Sequence, residues 1–383
     1  MTELTDLDSG LDDASKHDIL SVFGVEVTPP KVSAMAPYFE YFAQELTASA
    51  MFDHLSNAET REALKILKLL KAHPNTRKED IRDPSVPATG PALDFGVRAM
   101  LMTQCRTPGV FAGGVFNPEW KPCETLTEFV NRVYPRAEAP ADDNYRRGPV
   151  VIERMAAPGL KTNVHITIEW TNHLTDHLEL LVSADWKRLH VFRYPCYLNM
   201  CLKALEADRP NLDHSTEAAL ALGSLPPALL KETLKTYSLL FPQTDFASQD
   251  MLREAMGHDS ATLESFGGMS SGHERRQDAR RPETIADLYD KFPYWADRLE
   301  HLWREVENPR PVTRVERWVD KRKDQRWSTW WVVLGVMLAV LFGITATILG
   351  ALQVWISYCS WLDDPRVAGC SAKLPVHGEA VGD

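Results

Sequence analysis

The chain has 383 residues, of which 44% are hydrophobic and 25% charged, and a formal net charge of −11. That balance excludes a collagen-like or disordered chain, and the acidic excess argues against a general nucleic-acid binder. Six cysteines with no Cys-x-x-Cys exclude a disulfide scaffold and a zinc knuckle. The length corresponds to two or three domains at about 150 residues each.

The opening segment MTELTDLDSGLDD has neither a basic n-region nor an apolar core, so it does not read as a secretory signal. Residues 1–30 carry seven acidic side chains and one lysine, and are expected to form a solvated, disordered acidic tail. Ordered structure is expected from about Ala34, where APYFEYFAQEL brings aromatic residues at helical spacing. Ser56 to Glu59 has the form of a capping box opening a helix ETREALKILKLLKAH. Its apolar face is Leu64, Leu67 and Leu70, and Pro74 stops it.

After a Pro-containing loop from Asp83 to Pro91, PALDFGVRAMLMTQC reads as a helix and PGVFAGGVFNPEW as a turn and short strand. LTEFVNRV, from Leu126 to Val133, predicts a short helix. The polar segment RAEAPADDNYRRGP, Arg136 to Pro149, is the expected internal break. Alternation from Val164 to Glu169 then predicts a strand. A helix is expected over TNHLTDHLELL, a second strand over RLHVFRY, and a helix through Leu198, Cys201 and Leu205. SLPPALLKETLKTYSLLFP is an amphipathic helix with Leu230, Leu234, Tyr237 and Phe241 on its apolar face. Residues 258–282 are Gly/Ser-rich and then basic, as a flexible linker would be. Phe292, Trp295, Leu299, Leu302 and Val306 mark a last helix, which Asn308 and Pro309 end.

The strongest feature follows. From Trp327 to Leu362 there are 36 consecutive residues without a charge. A helix from Trp330 to Ile356 is about 40 Å long, against a hydrocarbon core of about 30 Å. Trp327, Trp330 and Trp331 stand at one end and Trp355, Tyr358 and Trp361 at the other, as interfacial aromatic belts do. Arg310, Arg314, Arg317, Lys321, Arg322, Lys323 and Arg326 precede the span, and only Arg366 and Lys373 follow it. The positive-inside rule therefore predicts a cytosolic N-terminal side. The tail of about 25 residues beyond the helix sets the expectation of insertion after synthesis, as in tail-anchored proteins. Attraction to anionic lipid accounts for the collar Lys321, Arg322, Lys323 and Arg326. Gly335, Ala339, Gly343, Thr347 and Ala351 repeat every four residues, a stripe that allows two helices to pack as a homodimer. Beyond the span, Cys359 and Cys370 either close a loop in an oxidising compartment or remain thiols.

Sites of chemistry are sparse. His173 and His177 are four apart, a spacing that can serve a metal, but His-Leu-Thr-Asp-His lacks the Glu of His-Glu-x-x-His. Packed histidines at a strand–helix junction explain them as well. Gly268 to Gly272 spells Gly-Met-Ser-Ser-Gly without the strand and helix a nucleophile elbow needs. Gly109, Gly113 and Gly114 form no phosphate-binding fingerprint. Cys196 and Cys201 read as core thiols, and Cys105 and Cys123 have no histidine partner in the sequence. Arg275, Arg276, Arg280 and Arg281, with Lys321 to Lys323, also fit a nuclear-import signal. No catalytic residue, metal or cofactor is assigned.

Four segments carry a resemblance: NHLTDHL (Asn172 to Leu178), LHVFRYPCYL (Leu189 to Leu198), LPPALLKETLKTYSLLFP (Leu225 to Pro242) and FPYWADRLEHLWREVENPRP (Phe292 to Pro311). With WVDKRKDQRW (Trp318 to Trp327) before a helix ending GALQVWISY, the chain over about residues 90–360 resembles an uncharacterised family of filamentous ascomycete fungi with one C-terminal membrane helix. The resemblance implies a fungal single-pass membrane protein and no activity.

The expected architecture is α+β. A mainly α-helical cytosolic domain with a few short strands spans residues 31–310, a basic juxtamembrane segment 311–329, the transmembrane helix 330–358 and a short non-cytosolic tail 359–383. The expected role is a non-enzymatic adaptor or scaffold on an endomembrane, with the bilayer, a second copy and a cytosolic protein as partners and no nucleic acid. A nuclear regulatory protein and an enzyme using the His173/His177 region are the rival expectations.

Overall fold

The structure is a computed structural model that describes residues 11–25, 28–51, 60–84, 89–107, 115–208, 215–256, 282–311 and 325–361. It divides into two units, residues 1–312 and 313–383. The first is helix-rich with one small sheet.

Four helices open it: α1 (Asp13–Val22), α2 (Pro29–Ala34), α3 (Ala36–Met51) and α4 (Thr60–Ala72). Residues 13–22 thus correct the expectation of a tail over residues 1–30. Asp12 caps α1, and Ile19, Leu20 and Val22 are buried on it. The acidic residues occupy its outer side while these apolar ones pack against α4. On α4 the expected face of Leu64, Leu67 and Leu70 is buried. It meets α5 (Gly90–Leu101) at Gly96, where a Cβ would lie 2.6 Å from Leu70 Cδ1 and 2.8 Å from Ile66 Cγ2. A Cβ there would force the Leu70 and Ile66 side chains to shift.

The C-terminal end of α5 is the anchor of this region. Met102 takes a left-handed conformation with φ 48° and stops the helix. The carbonyls this leaves exposed need donors. Three phenols supply them: Tyr41 to Arg98 O (3.1 Å), Tyr38 to Ala99 O (2.8 Å) and Tyr197 to Met100 O (2.6 Å). Tyr38 and Tyr197 stack at 5.4 Å between ring centroids, so aromatic packing and helix termination are one feature.

Helices α6 (Leu126–Val133), α7 (Asp143–Arg146) and α8 (Ala157–Asn163) follow. A capping box of Thr125 and Glu128 starts α6 at the expected residue. The stretch 115–120 contains no strand, and the expected break at Arg136 to Pro149 is instead sewn to later chain. Ala137 N–H bonds Pro293 O at 2.6 Å, Val150 N–H bonds Glu283 O at 2.8 Å, and Tyr145 donates to Glu300 at 2.5 Å. Its polar groups are paired within the fold, so it does not separate domains.

The sheet has strand order β1 (Ile166–Thr171), β3 (Lys187–Phe192), β2 (Leu180–Val182). β1 runs parallel to β3 with Ile166 opposite Lys187, and β2 runs antiparallel with Leu180 opposite Leu189. Both expected strands are present. The helix expected over TNHLTDHLELL is not: Leu174–Asp176 is one 3₁₀ turn and β2 follows it. Leu178 has φ 61°, its N–H bonds His190 O (2.7 Å), and His190 N–H bonds Glu179 O (2.9 Å). Pairing with β3 overrides the local helical pattern.

The unit closes with α9 (Pro195–Asp208), α10 (Thr216–Ala221), α11 (Pro227–Leu240), α12 (Phe246–Met256), α13 (Ile285–Lys291) and α14 (Ala296–Glu307). Leu230, Leu234, Tyr237 and Phe241, and Leu299, Leu302 and Val306, are buried as their spacing predicts. The second unit contains α15 (Gln325–Trp361), an unbroken helix of 37 residues. It begins five residues before and ends three residues after the expected span of 330–358.

Lys187 of β3 ties the sheet to α14. Its ammonium lies 2.7 Å from Glu305 and donates to Val164 O at 3.1 Å, with both charged side chains at most 3% exposed. Removing one partner strands a buried charge, at a cost of about 3–5 kcal/mol. Lys187→Met should lower the unfolding free energy of the full chain in detergent by that amount in urea titrations. Lys187→Met with Glu305→Leu should recover most of the loss, and an unchanged midpoint for the single variant would refute the pair's role.

Candidate functional site

Two places were singled out by the sequence, the histidine pair and the apolar helix. His177 is fully buried and sits after the 3₁₀ turn, not on a helix. Its Nδ1 accepts the Phe192 N–H at 3.2 Å, which puts the ring proton on Nε2, 2.7 Å from Thr236 Oγ1. Thr236 in turn donates to Thr233 O at 2.6 Å. The ring stacks on Tyr237 (5.6 Å) and meets the edge of Trp295 (5.0 Å). Both nitrogens are occupied, so His177 has no lone pair to offer a metal.

His173 faces other neighbours, with its ring 6.1 Å from Tyr41, and its buried Nδ1 has no hydrogen-bond partner. Among the described residues, no group of three or more His, Cys, Asp or Glu is placed to hold a metal ion. Burial lowers the pKa of both histidines, that of His177 to about 3.

The polar residues that matter most around this turn were not evident in the sequence. Asp176 accepts the N–H groups of Phe116 (3.0 Å) and Val115 (3.4 Å) and the hydroxyl of Thr171 (3.3 Å). Arg298 of α14 donates to Thr175 O (2.8 Å) and His177 O (2.5 Å) and pairs with Glu179 at 3.3 Å. Glu232 of α11 accepts the N–H groups of Tyr294 (2.8 Å) and Trp295 (2.7 Å), where α14 begins. Burial pushes its carboxyl up to about 8, against the lowering effect of those two bonds. The only sequence signal was a charge set among apolar neighbours at a core position.

Cys105, Cys123, Cys196 and Cys201 are in no disulfide. Cys105 donates to Asp94 at 3.3 Å, and burial raises Cys201 to about 11, so neither is an activated nucleophile. Gly268 to Gly272, the three glycines Gly109, Gly113 and Gly114, the arginines Arg275 to Arg281, the linker 258–281, the Ser56 to Glu59 box and the collar residues Lys321, Arg322 and Lys323 lie outside the described residues. Arg326 falls in the first turn of α15.

The apolar helix is the other place. Within Val332–Trp361, 18 consecutive residues have mean hydropathy 2.6, and none of them is buried. Of the large hydrophobic residues exposed among the described ones, four (Phe116, Val151, Trp186 and Phe246) lie in the first unit and all others on α15. Length and apolarity suit this helix to crossing a bilayer. Its Thr345 and Thr347 satisfy themselves by donating to Leu341 O (3.0 Å) and Ile344 O (2.7 Å), as hydroxyls in membrane helices do. Gly335, Ala339, Gly343, Thr347 and Ala351 all lie on it. Cys359, near its end, is disulfide-bonded.

The chain matches no protein-family model, no curated protein and no solved structure. The resemblance carried by Asn172 to Leu178 and its companion segments rests on those residues alone.

The buried acid and base give opposite pH signatures. His177 is neutral in the fold down to about pH 3 but protonates near 6.5 when unfolded, so stability falls as pH drops below 6.5. Glu232 holds its proton up to about pH 8 in the fold but loses it near 4.5 when unfolded, so its contribution falls as pH rises through that window. Each titrating proton is worth about 1.4 kcal/mol per pH unit. Between pH 5 and 6.5, His177→Gln should therefore flatten the rise of unfolding free energy with pH, and Glu232→Gln should steepen it. Urea titrations of the full chain at several pH values check both, and parallel curves for all three proteins would refute the assignment.

Proposed function

We propose that this protein is a single-pass membrane protein that holds a helix-rich α+β domain on the cytosolic face and serves as a non-enzymatic adaptor or scaffold there. One observation carries the reading: a long helix in which 18 consecutive residues have mean hydropathy 2.6 and none of them is buried. In water its side chains would form an apolar surface far above the few hundred Å² that soluble monomers expose. In a bilayer the same side chains meet hydrocarbon, and the helix satisfies its own backbone.

Two further observations support the orientation. Seven basic residues stand before the helix and two after it, which favours a cytosolic N-terminal side. Cys105, Cys123, Cys196 and Cys201 of the domain are in no disulfide, whereas Cys359 near the end of α15 is disulfide-bonded. Thiols persist in the cytosol and disulfides in the lumen or outside the cell. The adaptor role is supported by how the domain uses its buried acids and bases: His177, Asp176, Glu232, Lys187 and Arg298 are spent on packing and on tying elements together.

Alkaline carbonate extraction of the tagged full chain, beside a chain lacking residues 327–383, tests the anchor. The full chain should stay in the membrane pellet and the truncation should be released. A full chain that is extracted and nuclear would refute the anchor and favour the basic clusters as import signals. A glycosylation sequon appended after Asp383 should be modified if the C-terminal side is lumenal, and an unmodified sequon on a membrane-embedded chain would reverse the orientation.

A further inference from the structure

Among the described residues, no helix but α4 carries more than two Lys or Arg. On α4 stand Arg61, Lys65, Lys68 and Lys71, beside a single acid, Glu62. At about 100° per residue, Arg61, Lys65, Lys68 and Ala72 fall within one arc of about 60°, and each of them is exposed. Ala63, Ile66, Leu67 and Leu70 stand on the opposite side, buried in the core of the first unit. Lys71 turns away from the line and is half-buried, donating to Val22 O at the end of α1.

The three cations on that line lack partners. Among the described residues, none of Arg61, Lys65 and Lys68 makes a side-chain hydrogen bond or an ion pair. Exposed arginines elsewhere are neutralised where they stand: Arg132 by Glu124 (2.7 Å), Arg188 by Glu169 (3.1 Å) and Arg253 by Asp250 (2.9 Å). Helices α1, α5 and α10 pack beside α4. The exposed acids they bring, Asp12, Asp13, Asp18 and Glu217, form no ion pair with it, and Asp13 pairs with Lys16 of its own helix instead. On a chain of net charge −11, this line is a local reversal of sign.

We infer that the Arg61/Lys65/Lys68 face of α4 rests on the anionic headgroups of the leaflet that α15 enters. The inference rests on the reading that α15 spans a membrane with the domain on its cytosolic side. Magnitude decides the occupant. A cation close to an anionic leaflet raises partitioning about fivefold, so three unpaired ones give about a hundredfold. That is too little to collect a soluble acidic partner at ordinary concentrations. An anchored chain already has the leaflet at hand, and the same attraction then suffices to select one face. The net charge of −11 turns the rest of the surface away from that leaflet. Charges count there only within about 8 Å, the screening length at physiological salt, so the facing side chains decide. The apolar side of α4 is committed to the core, so contact is by charge and not by insertion.

Spin-label relaxation of the full chain in vesicles tests it, with exposed Cys123 replaced by Ser to remove background. The label is placed on the basic line by Ala72→Cys or, as a control, at exposed Phe246 by Phe246→Cys. A nickel-chelating lipid reports contact with the headgroups. In vesicles of phosphatidylcholine and phosphatidylserine in equal parts, the Ala72→Cys label should relax severalfold more than the control. The excess should vanish in pure phosphatidylcholine, and in 1 M salt, where the screening length falls to about 3 Å. Arg61→Glu with Lys65→Glu and Lys68→Glu should abolish it, at an unfolding midpoint that shows the domain intact. Equal relaxation at both sites, or an excess that persists without phosphatidylserine, would overturn the docking. So would a label shielded in neutral vesicles until residues 1–10 are deleted, since the chain's own acidic segment would then hold the face. A chain released from the vesicles by carbonate would instead overturn the spanning reading itself, so the two failures are told apart.

Discussion

The constraint on which the whole molecule turns is that a long apolar helix cannot be left in water. Among the described residues of the first unit most large hydrophobic side chains are buried, with Phe116, Val151, Trp186 and Phe246 the exposed ones: Phe39, Phe42, Phe95, Phe129 and Phe192 are each at most 1% exposed. On α15, Phe342 is 71% exposed and Val354 70%. One chain thus follows two rules of packing, and the boundary between them coincides with the division at residues 312 and 313. The first unit satisfies its apolar surface internally. The second satisfies only its backbone internally and leaves its side chains to the surroundings, which is the division of labour that a hydrocarbon environment imposes.

Within the first unit, order spreads from helix ends and not from helix middles. The close of α5 at left-handed Met102 calls in Tyr38, Tyr41 and Tyr197 from two other helices, and so fixes how α3 and α9 sit on α5. The start of α14 is held by Glu232, and Arg298 one turn later fastens the turn that carries His177. Near the far end of α14, Glu305 pairs with Lys187 of β3 and accepts the Arg310 N–H at 2.8 Å. Buried ionic contacts of this kind add little net stability compared with apolar packing, yet they tolerate few alternative arrangements. They specify register. That is why a sheet of three short strands can keep its place among so many helices.

Much of this was legible beforehand because it depended on periodicity. The faces Leu64/Leu67/Leu70 and Leu299/Leu302/Val306 were visible as spacings, and LTEFVNRV from Leu126 to Val133 read as the helix α6. What was misread depended on partners distant in sequence. Asn172 to Leu181 has helical local character, but Asp176 captures two N–H groups from residues 115 and 116 and Leu178 pairs with His190. Residues 136–149 look like a linker by composition, and their bonds to Ile285, Pro293 and Glu300 show otherwise. In α1 the acidic count hid Ile19, Leu20 and Val22. The histidines were misplaced for the same reason: spacing of four has meaning on a helix and none across a 3₁₀ turn.

The two units also differ in what they leave unanswered. In the domain several polar groups are tied into the fold: His177 has a partner on each nitrogen, Asp176 has three donors, and Glu232 closes a helix end. In α15 the opposite holds, for neither the apolar surface nor the Gln353 amide finds its complement within the helix. Were the helix in a bilayer, hydrocarbon would meet the first demand and a polar group at the same depth the second. On the proposed reading, position follows from the first of these demands, and the domain's part is to present a rigid surface at the place where α15 puts it.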